Sequence, residues 1–206
     1  MQRCVIVGGA GINACDRIKK LLSPEDFVIC CDSGLKHRAA LGITPDLIVG
    51  DFDSHPNPDL ETETIVLPCQ KDDTDTVFGV KEALRRGFEE FLLIGVVGER
   101  LDHSLGNVSI LLYLDSLGKK ATLADDYSLM EIVSKKPVYV GGEFSFFSLL
   151  NISGTARDIT IENAEYPLNG GEITCEYQYG ISNRVLPGKT AKVTVGEGRL
   201  LAVKVF

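Results

Sequence analysis

The first 124 residues alternate strand-like apolar runs with stretches of helical spacing, and few folds accommodate that rhythm. "RCVIVGG" precedes an amphipathic stretch from Asn13 to Leu22, "DFVICCDSG" leads into "LKHRAALG", and "DLIVGDFDS" into a polar loop. "ETIVLP" then precedes "DTDTVFGVKEALRRG", where Val77, Val80 and Leu84 are spaced for one helix face. "FEEFLLIGVVG" precedes "LDHSLGNVSILLYLDSLG", and "KATLAD" closes the half. Near-continuous apolar strands separated by helices predict a largely parallel sheet covered on both faces.

From about residue 125 the rhythm changes. "GEFSFFSLL", "ARDITIEN", "GEITCEYQY", "KTAKVTVGEG" and "RLLAVKVF" are short, partly alternating, and separated by Gly, Asn and Pro. Such spacing predicts an antiparallel sandwich or barrel. The expected organisation is an α/β domain over residues 1–124 and an all-β domain over 125–206, joined without a Ser/Gly-rich linker.

Composition narrows the function classes. A net charge of −8 without a dense Lys/Arg run argues against a nucleic-acid partner, because phosphate-backbone binding depends on clustered cations. Apolar content of 44% with 24% charge suits a globular chain, and no apolar run approaches the ~20 residues that span a bilayer. "MQRCVIVGG" enters a strand-like run without the layout of a secretory signal, so the expected location is the cytoplasm. The six cysteines (Cys4, Cys15, Cys30, Cys31, Cys69 and Cys175) form no C-x-x-C pair, and most sit in apolar runs, so they read as reduced core residues and not as zinc ligands or a disulfide frame.

"GAGINA" (residues 9–14) matches the dinucleotide-binding G-x-G-x-x-A pattern, follows a strand, and has Asp32 at the end of the next strand. A nicotinamide-dinucleotide-binding oxidoreductase is therefore the alternative reading. A tight glycine turn at the first strand–helix junction explains the same residues more simply, and hydride transfer has no evident use for the acids that follow.

Those acids collect at strand ends. Asp32 follows the second strand and Asp51 and Asp53 the third; "QKDDTDT" supplies Asp72, Asp73 and Asp75 before a helix, and "GERLDH" supplies Asp102. Ligands of open α/β sheets bind outside the carboxyl ends of the strands, so these groups are expected to converge on one crevice. Two carboxylates about 4 Å apart repel by about 4 kcal/mol at an effective dielectric near 20, so either some stay protonated or a divalent cation binds. All-oxygen ligation favours Mg²⁺, which accepts one or two carboxylates together with substrate phosphates. Asp32, Asp72 or Asp75 could instead serve as helix caps, and Asp73 as a solvated first-turn acid. Lys71 and Arg100 add cations in the same loops. Mg²⁺ with Lys and Arg is phosphoryl-transfer equipment, yet the Walker and protein-kinase signatures are absent, and "DFDSH" breaks the D-x-D-x-T phosphatase pattern.

Taken in order, "DSG" (32–34), "PDLIVGDFDS" (45–54), "KDDTD" (71–75), "GERLDHSLGN" (98–107) and "GISN" (180–183) resemble the thiamine pyrophosphokinase family across nearly the whole chain. The resemblance implies Mg²⁺-dependent transfer of diphosphate from ATP to the hydroxyl of thiamine, giving thiamine diphosphate and AMP. It implies a homodimer with its site between subunits, an N-terminal ATP-binding α/β domain and a C-terminal thiamine-binding β-sandwich. By likeness, Asp51, Asp53, Asp72 and Asp75 would hold Mg²⁺ and its phosphates, supported by Asp32. Lys71, Thr74 and Arg100 would contact the triphosphate, Asp102 and His103 would wall the nucleotide, and Ser182 and Asn183 would meet thiamine. Asp51 and Asp75 are the candidates for the base that accepts the alcohol proton. The chain departs from the family where Ser33 and Glu99 replace glycines that are frequent there. It also lacks Trp, which leaves Tyr177 and Tyr179 as candidates for stacking on thiamine.

Overall fold

The computed structural model describes residues 2–52, 61–68 and 72–206. The chain divides into two compact units, Met1–Asp126 and Tyr127–Phe206.

Six strands build the sheet of the first unit: β1 (Cys4–Val7), β2 (Phe27–Cys31), β3 (Leu47–Gly50), β4 (Glu63–Val66), β5 (Glu90–Ile94) and β6 (Lys120–Ala124). They pair in the order β6-β5-β1-β2-β3-β4, every pair parallel. All four residues of β1 are fully buried, as are Leu47, Ile48 and Val49 of β3, so these runs carry no polar alternation. The chain steps outward from β1 to β4 and then returns to the other side of β1 as β5. That reversal opens a crevice at the carboxyl ends of β1 and β5.

Helices fill the connections. A five-residue helix α1 (Cys15–Lys19) occupies only part of the stretch expected to be helical. A 3-10 turn at Asp32–His37 continues into α2 (Arg38–Leu41), which stops at Gly42 with φ 67°. Thr74 caps α3 (Asp75–Arg85) by accepting a hydrogen bond from Val77 N–H. The expected apolar face of α3 is displaced: Gly79, Val80, Glu82 and Ala83 are its buried residues. Small residues bring the helix close to the sheet, for a Cβ on Gly79 would stand 2.9 Å from Cys31 Sγ. The sixteen-residue α4 (Leu101–Ser116) follows β5. Among the described residues no helix is long and apolar enough to cross a membrane.

The second unit contains β7 (Ser128–Val133), β8 (Val138–Val140), β9 (Phe146–Leu150), β10 (Thr155–Glu162), β11 (Leu168–Thr174), β12 (Gly180–Asn183), β13 (Ala191–Thr194) and β14 (Leu200–Val205). They pair antiparallel as β12-β9-β14-β7 and β11-β10-β13-β8. Phe147, Leu149, Leu200 and Ala202 of the first set share one core with Ile159, Ile161, Ile173 and Val193 of the second. Buried residues alternate with an exposed one along β8 and with half-buried ones along β9, as follows from having one face on that core.

Candidate active site

A cleft of about 460 Å³ opens at the carboxyl ends of the first unit's strands. Its lining draws on five separate connections. Gly9 and Ala10 follow β1, Asp32 and Ser33 follow β2, and Asp51 follows β3. Thr74, Asp75 and Thr76 form the start of α3; Gly98, Glu99 and Arg100 lead from β5 into α4, whose His103, Ser104 and Asn107 complete the wall.

Asp32, Asp51, Thr74, Asp75, Arg100 and His103, six of the expected site residues, thus share one cleft although they span more than seventy positions of sequence. Asp72 is exposed and outside the lining. Asp102 is also outside it and pairs with Arg100 at 2.5 Å, where the guanidinium holds its carboxyl down to about 2. Asp53 and Lys71 lie outside the described residues. Ser182 and Asn183 belong to the second unit, on β12.

Backbone conformation singles out the same motifs. Among the described residues five non-glycine positions have positive φ, and three of them are Asp32 (41°), Phe52 (56°) and Ser182 (60°). They stand inside "DSG", "GDFDS" and "GISN". Such conformations cost on the order of 1–3 kcal/mol each and persist where surrounding structure holds them. At Ser182 the holding structure is a register shift between β12 and β9, with Gly180 opposite Leu149 and Asn183 opposite Phe147. The exposed Ser182 donates its N–H to Ser148 Oγ. Asn183 is buried, and its amide bonds the N–H of Tyr166 and of Arg184 and the carbonyl of Tyr166. Nearby, the rings of Tyr177 and Tyr179 lie 5.5 Å apart, with the Tyr179 hydroxyl donating to the Glu172 carbonyl.

The two departures from the family pattern are accommodated locally. Ser33 Oγ occupies space beside Gly9, 1.8 Å from where a Cβ of that glycine would stand, so the serine uses room that a glycine at position 9 leaves open. Glu99 packs beside Gly11, its Oε1 3.4 Å from the corresponding point.

Several residues that shape the cleft were not among the expected site residues, two of them inside "GERLDHSLGN". Ser104 Oγ accepts from Gly98 N–H at 3.1 Å and lies 3.0 Å from the Arg100 carbonyl, while Asn107 Nδ2 donates to the Val96 carbonyl. Together they fix the β5–α4 loop. Their place inside the quoted motif, three residues apart on one helix, was the available signal. Lys36 Nζ donates to the Gly9 carbonyl and His37 Nε2 to the Ala10 carbonyl. Burial pushes the His37 pKa down, against the opposing pull of that bond.

The dinucleotide reading is not supported. In a dinucleotide site, pyrophosphate meets the amides that open the first helix. Here that position is filled by Asp126, whose carboxylate accepts from the N–H groups of Asn13 and Ala14 and from Asn13 Nδ2, each at 2.9–3.0 Å. Arg17 bonds the Asp126 carbonyl. Burial works against the Asp126 charge, yet these donors keep its carboxyl below the usual carboxylate range.

Five cysteines are free thiols, but only three are in the core: Cys15 is half-buried, Cys175 is exposed, and Cys69 lies outside the described residues. Cys4, Cys30 and Cys31 are buried, and burial pushes Cys30 up to about 12 and the other two well above the ordinary thiol range.

Comparison with known proteins agrees with the motifs. Residues 18–123 match the model of the thiamin pyrophosphokinase catalytic domain, and residues 132–200 that of the thiamin pyrophosphokinase vitamin B1 binding domain. Thiamine pyrophosphokinase of Bacillus subtilis is 24% identical over 200 residues, 90% of this chain and 91% of the relative. A crystal structure of thiamine pyrophosphokinase from that organism superposes with a TM-score of 0.86 at 23% identity, over 99% of both chains. The Geobacillus thermodenitrificans structure gives 0.83 at 23% identity over 100% of this chain and 98% of that one. The yeast structure gives 0.80 at 13% identity over 100% and 86%. With the catalytic model alone matching residues 18–123 of 206, the chain belongs to the thiamine pyrophosphokinase family of enzymes.

Proposed function

We propose that the enzyme transfers the terminal diphosphate of ATP to the hydroxyl of thiamine, with Mg²⁺, releasing AMP. The observation that carries this reading is the convergence of Asp32, Asp51 and Asp75 with Thr74, Arg100 and His103 on one cleft. The donor set suits Mg²⁺ better than a thiol-seeking metal, because these side chains offer oxygen. Mg²⁺ takes much of its coordination from water and substrate phosphate, so a few carboxylates suffice to hold it.

In this reading Asp51, Asp53, Asp72 and Asp75 hold the ion, and Asp32 supports them. When bound, Mg²⁺ neutralises charge on the diphosphate. Lys71, Thr74 and Arg100 bind the triphosphate and His103 lines the nucleotide side, while Asp102, expected beside it, lies outside the lining and pairs with Arg100. The thiamine oxygen bonds to the β-phosphorus as the bond from that phosphorus to the α,β-bridging oxygen breaks, and AMP departs with the bridging oxygen. The alcohol proton passes to Asp51 or Asp75. Residues 1–124 act as the ATP-binding catalytic domain and residues 125–206, a β-sandwich, as the thiamine-binding domain. Ser182 would contact thiamine, with Tyr177 or Tyr179 available for stacking; Asn183, also expected to meet thiamine, is buried with its amide bonded to Tyr166 and Arg184 and would hold the strand beneath it. The enzyme works as a cytoplasmic homodimer with its site between subunits, independently of nucleic acid and membrane.

The test is product analysis with ATP, Mg²⁺ and thiamine. AMP and thiamine diphosphate should form in equal amounts, whereas ADP as the nucleotide product would mean single-phosphoryl transfer. Asp53→Asn should fold normally and lose most activity; full activity would remove Asp53 from the ion site.

A further inference from the structure

We propose that Asp126 is a positioning residue for the nucleotide, acting through the glycine-rich loop Gly9–Ala14. The proposal rests on the reading of the cleft as an ATP site.

The loop is anchored along its length. At its start Gly8 N–H donates to the Ile94 carbonyl and Ala10 N–H to the Gly95 carbonyl, tying it to the end of β5. In the middle Lys36 and His37 hold the Gly9 and Ala10 carbonyls. At its end the Asp126 carboxylate supplies the acceptors for Asn13 and Ala14 N–H and for the Asn13 side chain. Gly9 and Ala10 line the cleft while Asn13, Ala14 and Asp126 do not. Asp126 therefore reaches the ligand only by fixing the loop.

The bonding is specific to a carboxylate. Oδ1 accepts from two backbone amides, Asn13 and Ala14, and Oδ2 accepts from Asn13 N–H and Nδ2. An anion supplied from residue 126 also satisfies the positive end of the short helix α1. The amides are thereby closed to phosphate, and the triphosphate is left to cleft side chains such as Thr74 and Arg100. Removing the acceptor would free the loop at one end, and with it Gly9 and Ala10 in the cleft wall.

The experiment compares the wild-type protein with Asp126→Asn, Asp126→Ala and Asp126→Glu. Backbone amide exchange at Asn13 and Ala14 is followed in the free protein, and the KM for MgATP, the KM for thiamine and kcat are measured with substrates. Loss of bonds to a charged acceptor should raise the KM for MgATP about tenfold in the Ala variant and less in Asn, which keeps one oxygen, with Glu restoring part of the loss. The KM for thiamine and kcat should stay within about twofold, and exchange at both amides should quicken in the same order. A KM for MgATP unchanged in folded Asn and Ala variants overturns the proposal, as does a loss confined to kcat that tracks a lower folded fraction. Absence of ATP turnover by the wild-type protein would overturn the underlying reading instead, while unchanged amide exchange in the Ala variant would refute the clamp itself.

Discussion

Gly50 and Asp32 approach so closely at the ends of adjacent strands that a Cβ on Gly50 would stand 3.1 Å from both Cα and Cβ of Asp32. Asp32 already holds φ 41°, so it has little freedom to retreat. Gly50→Ala should displace it and lower kcat/KM about tenfold or more, at a stability cost of about 1 kcal/mol. Steady-state kinetics paired with urea unfolding measure both. Wild-type kinetics in this variant would show that the Asp32 position tolerates movement.

Asp51 lines the cleft with Asp32 and Asp75. Replacing one carboxylate in such a group removes a metal or proton site and also relieves repulsion. Asp51→Asn should therefore lose about 100-fold in kcat while its unfolding free energy stays within about 1 kcal/mol of wild type. A variant that keeps its turnover would exclude Asp51 both as ligand and as base.

An alanine in an exposed helix interior is worth about 1 kcal/mol more than glycine. Gly79 of α3 faces Cys31 Sγ, however, and its missing Cβ would lie 2.9 Å from the sulfur. Gly79→Ala should thus destabilise the protein by about 1–2 kcal/mol. Adding Cys31→Ala should recover part of that loss, giving a coupling of about 1 kcal/mol in a double-mutant cycle. Purely additive effects would mean that the helix moves away from the sheet without strain.

Glu82 is buried and binds Arg85 through two bonds and Arg86 through one; Arg86 in turn pairs with Glu63 of β4. The Arg85 bonds, opposed by burial and aided by Arg86, hold the Glu82 carboxyl down to about 2. A native pKa below the unfolded value of about 4.3 gives stability that is present above that value and is lost as pH falls through about 2. Wild type should therefore exceed Glu82→Gln by about 2 kcal/mol above pH ~5, and the gap should close as pH approaches ~2. Unfolding curves across that range would show it. A gap independent of pH would assign the cost to packing and not to charge.

Much of this was legible before any coordinates. Long runs such as Phe91–Ile94 have no polar alternation because both faces of a parallel strand are covered, so the sheet could be read from composition of the runs. The spacing in "DTDTVFGVKEALRRG" located α3, but its buried face turned toward Gly79 and Ala83 because close packing on Cys31 selects small residues, which hydrophobic periodicity undervalues. α1 is shorter than its amphipathic pattern suggests; Asp126 binds the amides of Asn13 and Ala14 just before it. The acids at strand ends marked the cleft because a parallel sheet gathers its carboxyl ends on one side. Asp126, Lys36 and His37 were not legible, since each acts on a backbone group more than twenty residues away and no spacing rule encodes that pairing.

The left-handed backbone at Asp32, Phe52 and Ser182 bears on laboratory evolution of this enzyme. Glycine adopts that conformation without a Cβ penalty, so a screen that rewards heat resistance alone should enrich glycine at these three sites. Their side chains stand in the motifs from which the function was read, and a heat-hardened lineage would be purged of them first. A selection that demands turnover as well as survival should keep all three as they are, and the contrast between the two lineages would locate the working parts of the enzyme without a substrate analogue.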